Sequence, residues 1–220
     1  MTSQYSQTSD AFRCDECGQD MAVPLFCDHC GTNYPERRAM GPFTVLGVQE
    51  RWDLDDDLLD QRELTLAARL HPDQWQGKGE RKHKQALLAW SAVNVALEAI
   101  KDPFDRAMTL VEASEEHGDG LLGDARKDIP QDFLIEQLEL QEELESPVSD
   151  ERRKVLNKQI RRELRELKRQ LAGHFEIVDA TAHAGAAAGE ARIAALRGAR
   201  AVVHRSKYWR NARQALRARR

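Results

Sequence analysis

The chain has no apolar run approaching the ~18 residues that a membrane-spanning helix needs, so an integral membrane protein is not expected. Aromatic residues make up only 6% of the 220 positions, and proline and glycine are sparse at 7 and 13. That composition argues against an all-β protein. The first ten residues, Met1 to Asp10, carry no basic run, no apolar run and no arginine. They predict neither a secretory signal nor a mitochondrial transit peptide. A cytoplasmic protein is the expectation, with residues 1–10 a polar, mobile lead. Cysteine is missing from everything after position 30, since all four lie between 14 and 30. Nothing is left to staple the remaining chain, which fits a reducing compartment and one local metal site rather than a secreted scaffold.

What is present is a soluble, globular composition, with 41% apolar and 32% charged residues. The length suits one ordinary domain and a smaller one. A net charge of −4 hides an asymmetry: residues 1–150 sum to −17 and residues 151–220 to +13. Such a split suggests an interaction surface or electrostatic pairing of the two halves.

Cys14, Cys17, Cys27 and Cys30 form two CxxC pairs with nine residues between them. Two tight turns can each present two thiolates to one tetrahedral ion, and four thiolates leave no open position, so the expected Zn²⁺ is structural. Gly18 and Gly31 follow the second cysteine of each pair and suit positive-φ positions in such turns. The module, residues 11–38, should be a pair of knuckles with little sheet. His29 reads as a bystander.

The rest is helical. A short helix opens at Pro42. Asp53 or Asp55 caps the next, which runs to Leu70 with Leu59, Leu66 and Leu70 on one stripe. Pro72 stops it, and residues 71–79 form a loop. Ala86, Ala89, Trp90, Val93, Ala96, Leu97 and Ile100 then recur at helical period over residues 80–101. Asp102-Pro103 starts a further short helix through Leu110, and a glycine-rich stretch near 117–129 reads as a linker. Three helical stretches follow, over 131–145, 149–174 and about 176–219. The expected fold class is all-α: a helical hairpin domain over 41–116 and an antiparallel three-helix bundle over 130–220, preceded by the cysteine module.

His71-Pro72-Asp73 joins the two hairpin helices. Alone, the tripeptide reads as a proline stop with a capping aspartate. In this setting it resembles a J-domain, the module that stimulates ATP hydrolysis by DnaK-type chaperones. Phe43-x2-Leu46-Gly47, Leu54-Asp55, Arg62 nine residues before the histidine, Ser91-Ala92-x-Asn94-x-Ala96 and Pro103-x2-Arg106-Ala107-x2-Leu110 narrow the match. So does Asp132-Phe-Leu-Ile-Glu-Gln-Leu-Glu-Leu-Gln-Glu-Glu-Leu-Glu145. Together they resemble HscB, the J-protein of iron–sulfur cluster assembly, whose eukaryotic members also carry a paired-CxxC module.

The resemblance implies a co-chaperone with no catalytic residue of its own, so not an enzyme. It assigns His71, Pro72 and Asp73 to activation of the chaperone's ATPase, with Arg62 and Arg69 on the chaperone-contact helix. It assigns Leu134, Ile135, Leu138, Glu139, Glu142 and Tyr208 to binding of the cluster scaffold protein, and Cys14, Cys17, Cys27 and Cys30 to zinc. The implied partners are a DnaK-type chaperone and an iron–sulfur scaffold; a homo-oligomer is left open. Two features depart from the family. The helix over 55–70 is acidic where J-domains are commonly basic, the nearest positive cluster being Lys78, Arg81, Lys82 and Lys84. Ser146-Pro147 also ends the acidic helix early.

Two other readings stand beside this one. One is a J-domain protein with a different client. The other is a zinc-containing nucleic-acid binder built on the basic C-terminal helices. Against the latter, Glu163 and Glu166 interleave with the arginines and no nucleic-acid motif is completed, so a solvated, partly ion-paired face is the simpler account. For Leu134, Ile135 and Leu138 the plain alternative is bundle core. A helix turns 100° per residue, however, and that puts Phe133, Leu140 and Leu144 on a different side from Leu134, Leu138 and Glu142.

Overall fold

The computed structural model describes residues 12–116, 122–123, 129–182 and 186–218. The expected mobile lead and most of the expected linker lie outside the described residues. The chain divides into two compact units, residues 1–102 and 103–220.

The first unit begins with a minimal antiparallel pair, β1 (Phe12–Arg13) and β2 (Asp20–Met21). Isolated bridges join Val23 to Phe26 and Phe26 to Asn33, so the module has little sheet, as expected. A 3-10 turn over Pro35–Ala39 leads to α1 (Pro42–Leu46). Proline sits at its first position, where its missing amide proton costs nothing. Gly47 closes the helix at φ 65. A Cβ there would also lie 2.9 Å from Val23 Cγ1 and 3.0 Å from the Ala22 carbonyl. The position therefore needs glycine for its backbone and for close approach of the cysteine module.

Helix α2 (Asp56–Leu70) is capped by Asp55, whose carboxylate accepts from the Asp57 amide at 3.0 Å. Its buried stripe is Leu59, Leu66 and Leu70. Helix α3 (Glu80–Lys101) buries Ala86, Ala89, Val93, Ala96, Leu97 and Ile100. Trp90 is only half-buried. Lys101 ties the ends of the hairpin by reaching Glu63 at 2.8 Å and Asp60 at 2.9 Å.

The second unit holds α4 (Pro103–Glu116), α5 (Gln131–Glu145), α6 (Asp150–Ala180) and α7 (Ala186–Ala218). Helix α7 is its axis, with α4, α5 and α6 all packed on it. Contacts of Arg192 with Val178, Gly198 with His174 and Arg153 with Leu216 run in opposite order along α6 and α7, which are therefore antiparallel.

Two elements differ from the sequence reading. Helix α4 runs on to Glu116 and groups with the bundle, because Asp105 makes a two-pronged bond to Arg210 (2.7 and 2.9 Å) and Glu115 pairs with Arg200. Helix α6 does not break near 174. Phe175 and Val178 continue the buried stripe of Leu164, Leu167 and Leu171, and that burial outweighs the roughly 1 kcal/mol cost of Gly173 inside a helix. Helix α6 ends at Ala180 instead.

Candidate functional site

The four sulfurs of Cys14, Cys17, Cys27 and Cys30 lie within 4.8 Å of one another. Cys14 and Cys30 are 3.5 Å apart, Cys17 and Cys27 3.7 Å. Ligands about 2.3 Å from a tetrahedral ion would stand about 3.8 Å from each other. Each knuckle is closed by a backbone turn, Gly18 amide to Cys14 carbonyl and Gly31 amide to Cys27 carbonyl, both 2.9 Å. Gly18 and Gly31 have φ of 69 and 75, the positive values expected of them.

The electrostatics also fit a cation. Burial works against a Cys14 thiolate, but the Tyr34 hydroxyl (3.0 Å) and the amides of Cys17 and Glu16 outweigh it and bring the thiol down to about 6. Cys17 receives the Gln19 amide, yet desolvation and the three neighbouring sulfurs push it up to about 12. Four clustered thiolates repel, and only a bound cation lets all of them ionise. The bond to Cys14 first, then burial, pushes Tyr34 up to about 12, so its hydroxyl stays a donor. Tyr34 and Met21 pack with Cys14 and Cys27 to form the module's own small core.

His71-Pro72-Asp73 stands at the hairpin tip. Pro72 to Trp75 form a 3-10 turn, so the expected loop is ordered. The Asp73 amide points at His71 Nδ1 (3.4 Å). The His71 ring meets Trp90 edge-on, with centroids 5.5 Å apart. The Trp75 indole N–H donates to the Arg69 carbonyl at 2.9 Å, anchoring the turn to the last turn of α2. Asp73 is exposed and His71 and Pro72 are half-buried. Of the two α2 arginines, Arg62 turns inward to the Gly47 carbonyl (3.1 Å). Arg69 reaches Asp28 of the second knuckle at 3.7 Å.

On α5, Phe133, Gln137 and Leu144 are buried, whereas Leu134, Ile135 and Leu138 are 37%, 57% and 59% exposed. Glu139 and Glu142 are also exposed. Phe133 fixes the helix to α7 through edge contacts with Tyr208 (5.6 Å) and Trp209 (6.4 Å), under the Arg205 guanidinium at 5.2 Å. Tyr208 itself stays 38% exposed. Sequence reasoning missed three supporting residues: Tyr34 and Asp28 in the module and Arg205 beside Phe133. Their roles depend on tertiary approach, and no spacing rule signals it.

Among known proteins, a family model described as the HSCB C-terminal oligomerisation domain matches residues 129–217. The Co-chaperone protein HscB homolog of Haemophilus ducreyi is 31% identical over 134 residues, which span 60% of this chain and 76% of that relative. The chain belongs to the HscB co-chaperone family. The HscB homolog of Neisseria meningitidis serogroup A is 34% identical over 104 residues, 46% of this chain and 60% of that relative's length. The fold agrees too. The crystal structure of human co-chaperone protein HscB overlays with a TM-score of 0.68 at 19% identity, covering 94% of this chain and 97% of that one. The chaperone HscB from Vibrio cholerae overlays with a TM-score of 0.58 at 23% identity, covering 81% and 96%. No helix among the described residues is long and apolar enough to cross a membrane.

Proposed function

We propose that this chain is an HscB-type co-chaperone of iron–sulfur cluster assembly. The observation that carries this reading is the division of α5 into a buried side and an exposed apolar side. Leu134, Ile135 and Leu138 face solvent although buried positions on the same helix are filled by Phe133, Gln137 and Leu144. Exposed large aliphatics bordered by Glu139 and Glu142 are what a protein-binding patch needs, and Tyr208 adds an aromatic anchor. The scaffold protein that carries a nascent cluster binds there. The His71-Pro72-Asp73 turn, on a J-domain hairpin, stimulates the ATPase of a DnaK-type chaperone. Proline limits the backbone, and His71 and Asp73 offer polar groups at a fixed tip. The ATP chemistry belongs to the chaperone, and no residue of this chain enters it. Cys14, Cys17, Cys27 and Cys30 hold a structural Zn²⁺, consistent with a reducing cytoplasm.

The test is steady-state ATPase of the DnaK-type chaperones, with and without this protein and the scaffold, comparing wild type with His71→Gln. Stimulation that requires His71 and rises further with scaffold is the expected result. Stimulation indifferent to scaffold would move the client to another protein. No stimulation of any chaperone would overturn the reading.

A further inference from the structure

The cysteine module could be an independent bead on the chain, folded by its metal and nothing more. Its contacts argue otherwise. Residues Val23, Leu25 and Phe26, between the knuckles, are buried, yet they stand outside the small core of Cys14, Met21, Cys27 and Tyr34. Val23 and the Ala22 carbonyl close on Gly47 so tightly that no side chain fits there. The same Gly47 receives Arg62 from α2 on its carbonyl. The module, the end of α1 and α2 therefore share one packed junction.

A second contact lies one turn before the functional tripeptide. Asp28, inside the knuckle Cys27-Asp28-His29-Cys30, pairs with Arg69 at 3.7 Å. The carbonyl of Arg69 is the acceptor that holds Trp75, and Trp75 closes the 3-10 turn that begins at Pro72. A chain of contacts thus runs from a metal knuckle, through one carboxylate and one arginine, to the turn that carries His71 and Asp73.

We infer that Asp28 is a positioning residue for the His71-Pro72-Asp73 turn, with the metal-held knuckle as its rigid mount. This rests on the proposed role of that turn toward an ATPase. Arg69 ends a helix, where a cation is favoured, but its long side chain is free to wander unless something fixes it. A knuckle cross-linked by four thiolates offers a carboxylate whose backbone has little freedom. Both side chains are about half exposed, so the pair biases the turn rather than locking it. An exposed pair of this kind changes an equilibrium by about two- to fivefold.

The experiment separates the mount from the activity. The indole N–H of Trp75 reports directly on the turn, and its hydrogen exchange is followed by NMR in the zinc-loaded full chain. Asp28→Asn, with bound zinc verified by metal analysis, is expected to speed exchange of that proton about two- to fivefold, with Trp209 unchanged. Asp28→Glu is expected to restore protection. In the ATPase assay the co-chaperone concentration for half-maximal stimulation rises only as the closed fraction of the turn falls, so by no more than that factor, and the plateau is unchanged. Unaltered Trp75 exchange in Asp28→Asn would overturn the inference. So would a uniform rise at all indoles, which would mean general loosening. If no chaperone responds to the wild type, the co-chaperone reading fails, and the exchange measurement still decides whether Asp28 positions the turn.

Discussion

At the residue scale, two side chains illustrate how function separates from stability. Tyr34 is buried and holds Cys14 Sγ at 3.0 Å while accepting the Asp15 amide at 2.9 Å. Tyr34→Phe keeps the ring in the module core and removes only the hydroxyl. Groups that support a metal ligand in this way commonly change affinity about 10- to 100-fold. Zinc affinity measured by chelator competition is therefore expected to drop at least about tenfold, with helix content unchanged. Leu138 is the opposite case. It is 59% exposed, so Leu138→Ala should move the unfolding free energy by no more than about 0.5 kcal/mol. If it anchors a partner, the same truncation should weaken scaffold binding by about 1–2 kcal/mol, or roughly tenfold. Calorimetric titration alongside thermal melts checks both halves. A matched loss of stability and binding would return Leu138 to the core.

At the element scale, α6 and α7 approach closely enough that Gly198 lacks room for a methyl group. A Cβ there would stand 2.2 to 2.7 Å from ring atoms of His174. Gly198→Ala is expected to cost about 1–3 kcal/mol by overpacking, and the double variant with His174→Ala should recover most of it. Burial lowers the His174 pKa below the ordinary imidazole value. The unfolded chain therefore takes up its proton first as pH falls. The stability linked to this group is present above the ordinary imidazole range and lost as pH drops through it. Melting temperatures at pH 7.5 and 5.5 should diverge more for wild type than for His174→Ala.

This helix pair also shows what a sequence can reveal. The buried stripes of α2 and α3 were readable because apolar spacing is a local property, as were the Asp55 cap, one of two candidates, and the paired cysteine turns. The true end of α6 was not. The reading ended that stretch near 174, and the burial of Phe175 and Val178 carries the helix on to Ala180. The loop tripeptide and the two-sided α5 were legible from residue order. Their supports, Trp75 on the Arg69 carbonyl and Phe133 on Tyr208, required the folded backbone.

At the scale of the whole molecule, the long-range polar contacts of the second unit decide which helices travel together. Arg200 is buried with its side chain 4% exposed. It donates to Glu115 on α4 and to the Leu122 carbonyl, both at 2.8 Å. Arg197 reaches the same carbonyl at 3.0 Å. Removing the Arg200 guanidinium takes this cation from the Glu115 carboxylate and leaves the Leu122 carbonyl to Arg197. Breaking a fully buried pair costs about 3–5 kcal/mol. Glu115 is about one-third exposed, so Arg200→Ala should cost about 2–3 kcal/mol, visible in chemical denaturation. A change under about 0.5 kcal/mol would mean that α4 is held to α7 by its apolar face alone.

The charge asymmetry has its clearest expression on α6. Lys154, Lys158, Arg161, Arg165 and Lys168 fall at i, i+4, i+7, i+11 and i+14, one exposed file down the helix. They make no ion pair among the described residues, because Glu163 and Glu166 are taken by Arg162 and Arg169. A file of cations with Val155 as the exposed large aliphatic beside it gains little from an acidic protein, since each exposed pair adds about 0.2–1 kcal/mol. A phosphate strand would gain more through counterion release, with a log–log salt slope of about −3.5 to −4.5 for five contacts. Against this, the chain carries a net charge of −4, and the file exposes no aromatic side chain on which a base could stack. Elution from a heparin column below ~150 mM salt is therefore the expected outcome, with the file acting as a solvated face. Retention beyond that salt with the steep slope, lost in Arg161→Glu/Arg165→Glu, would instead assign α6 a nucleic-acid partner.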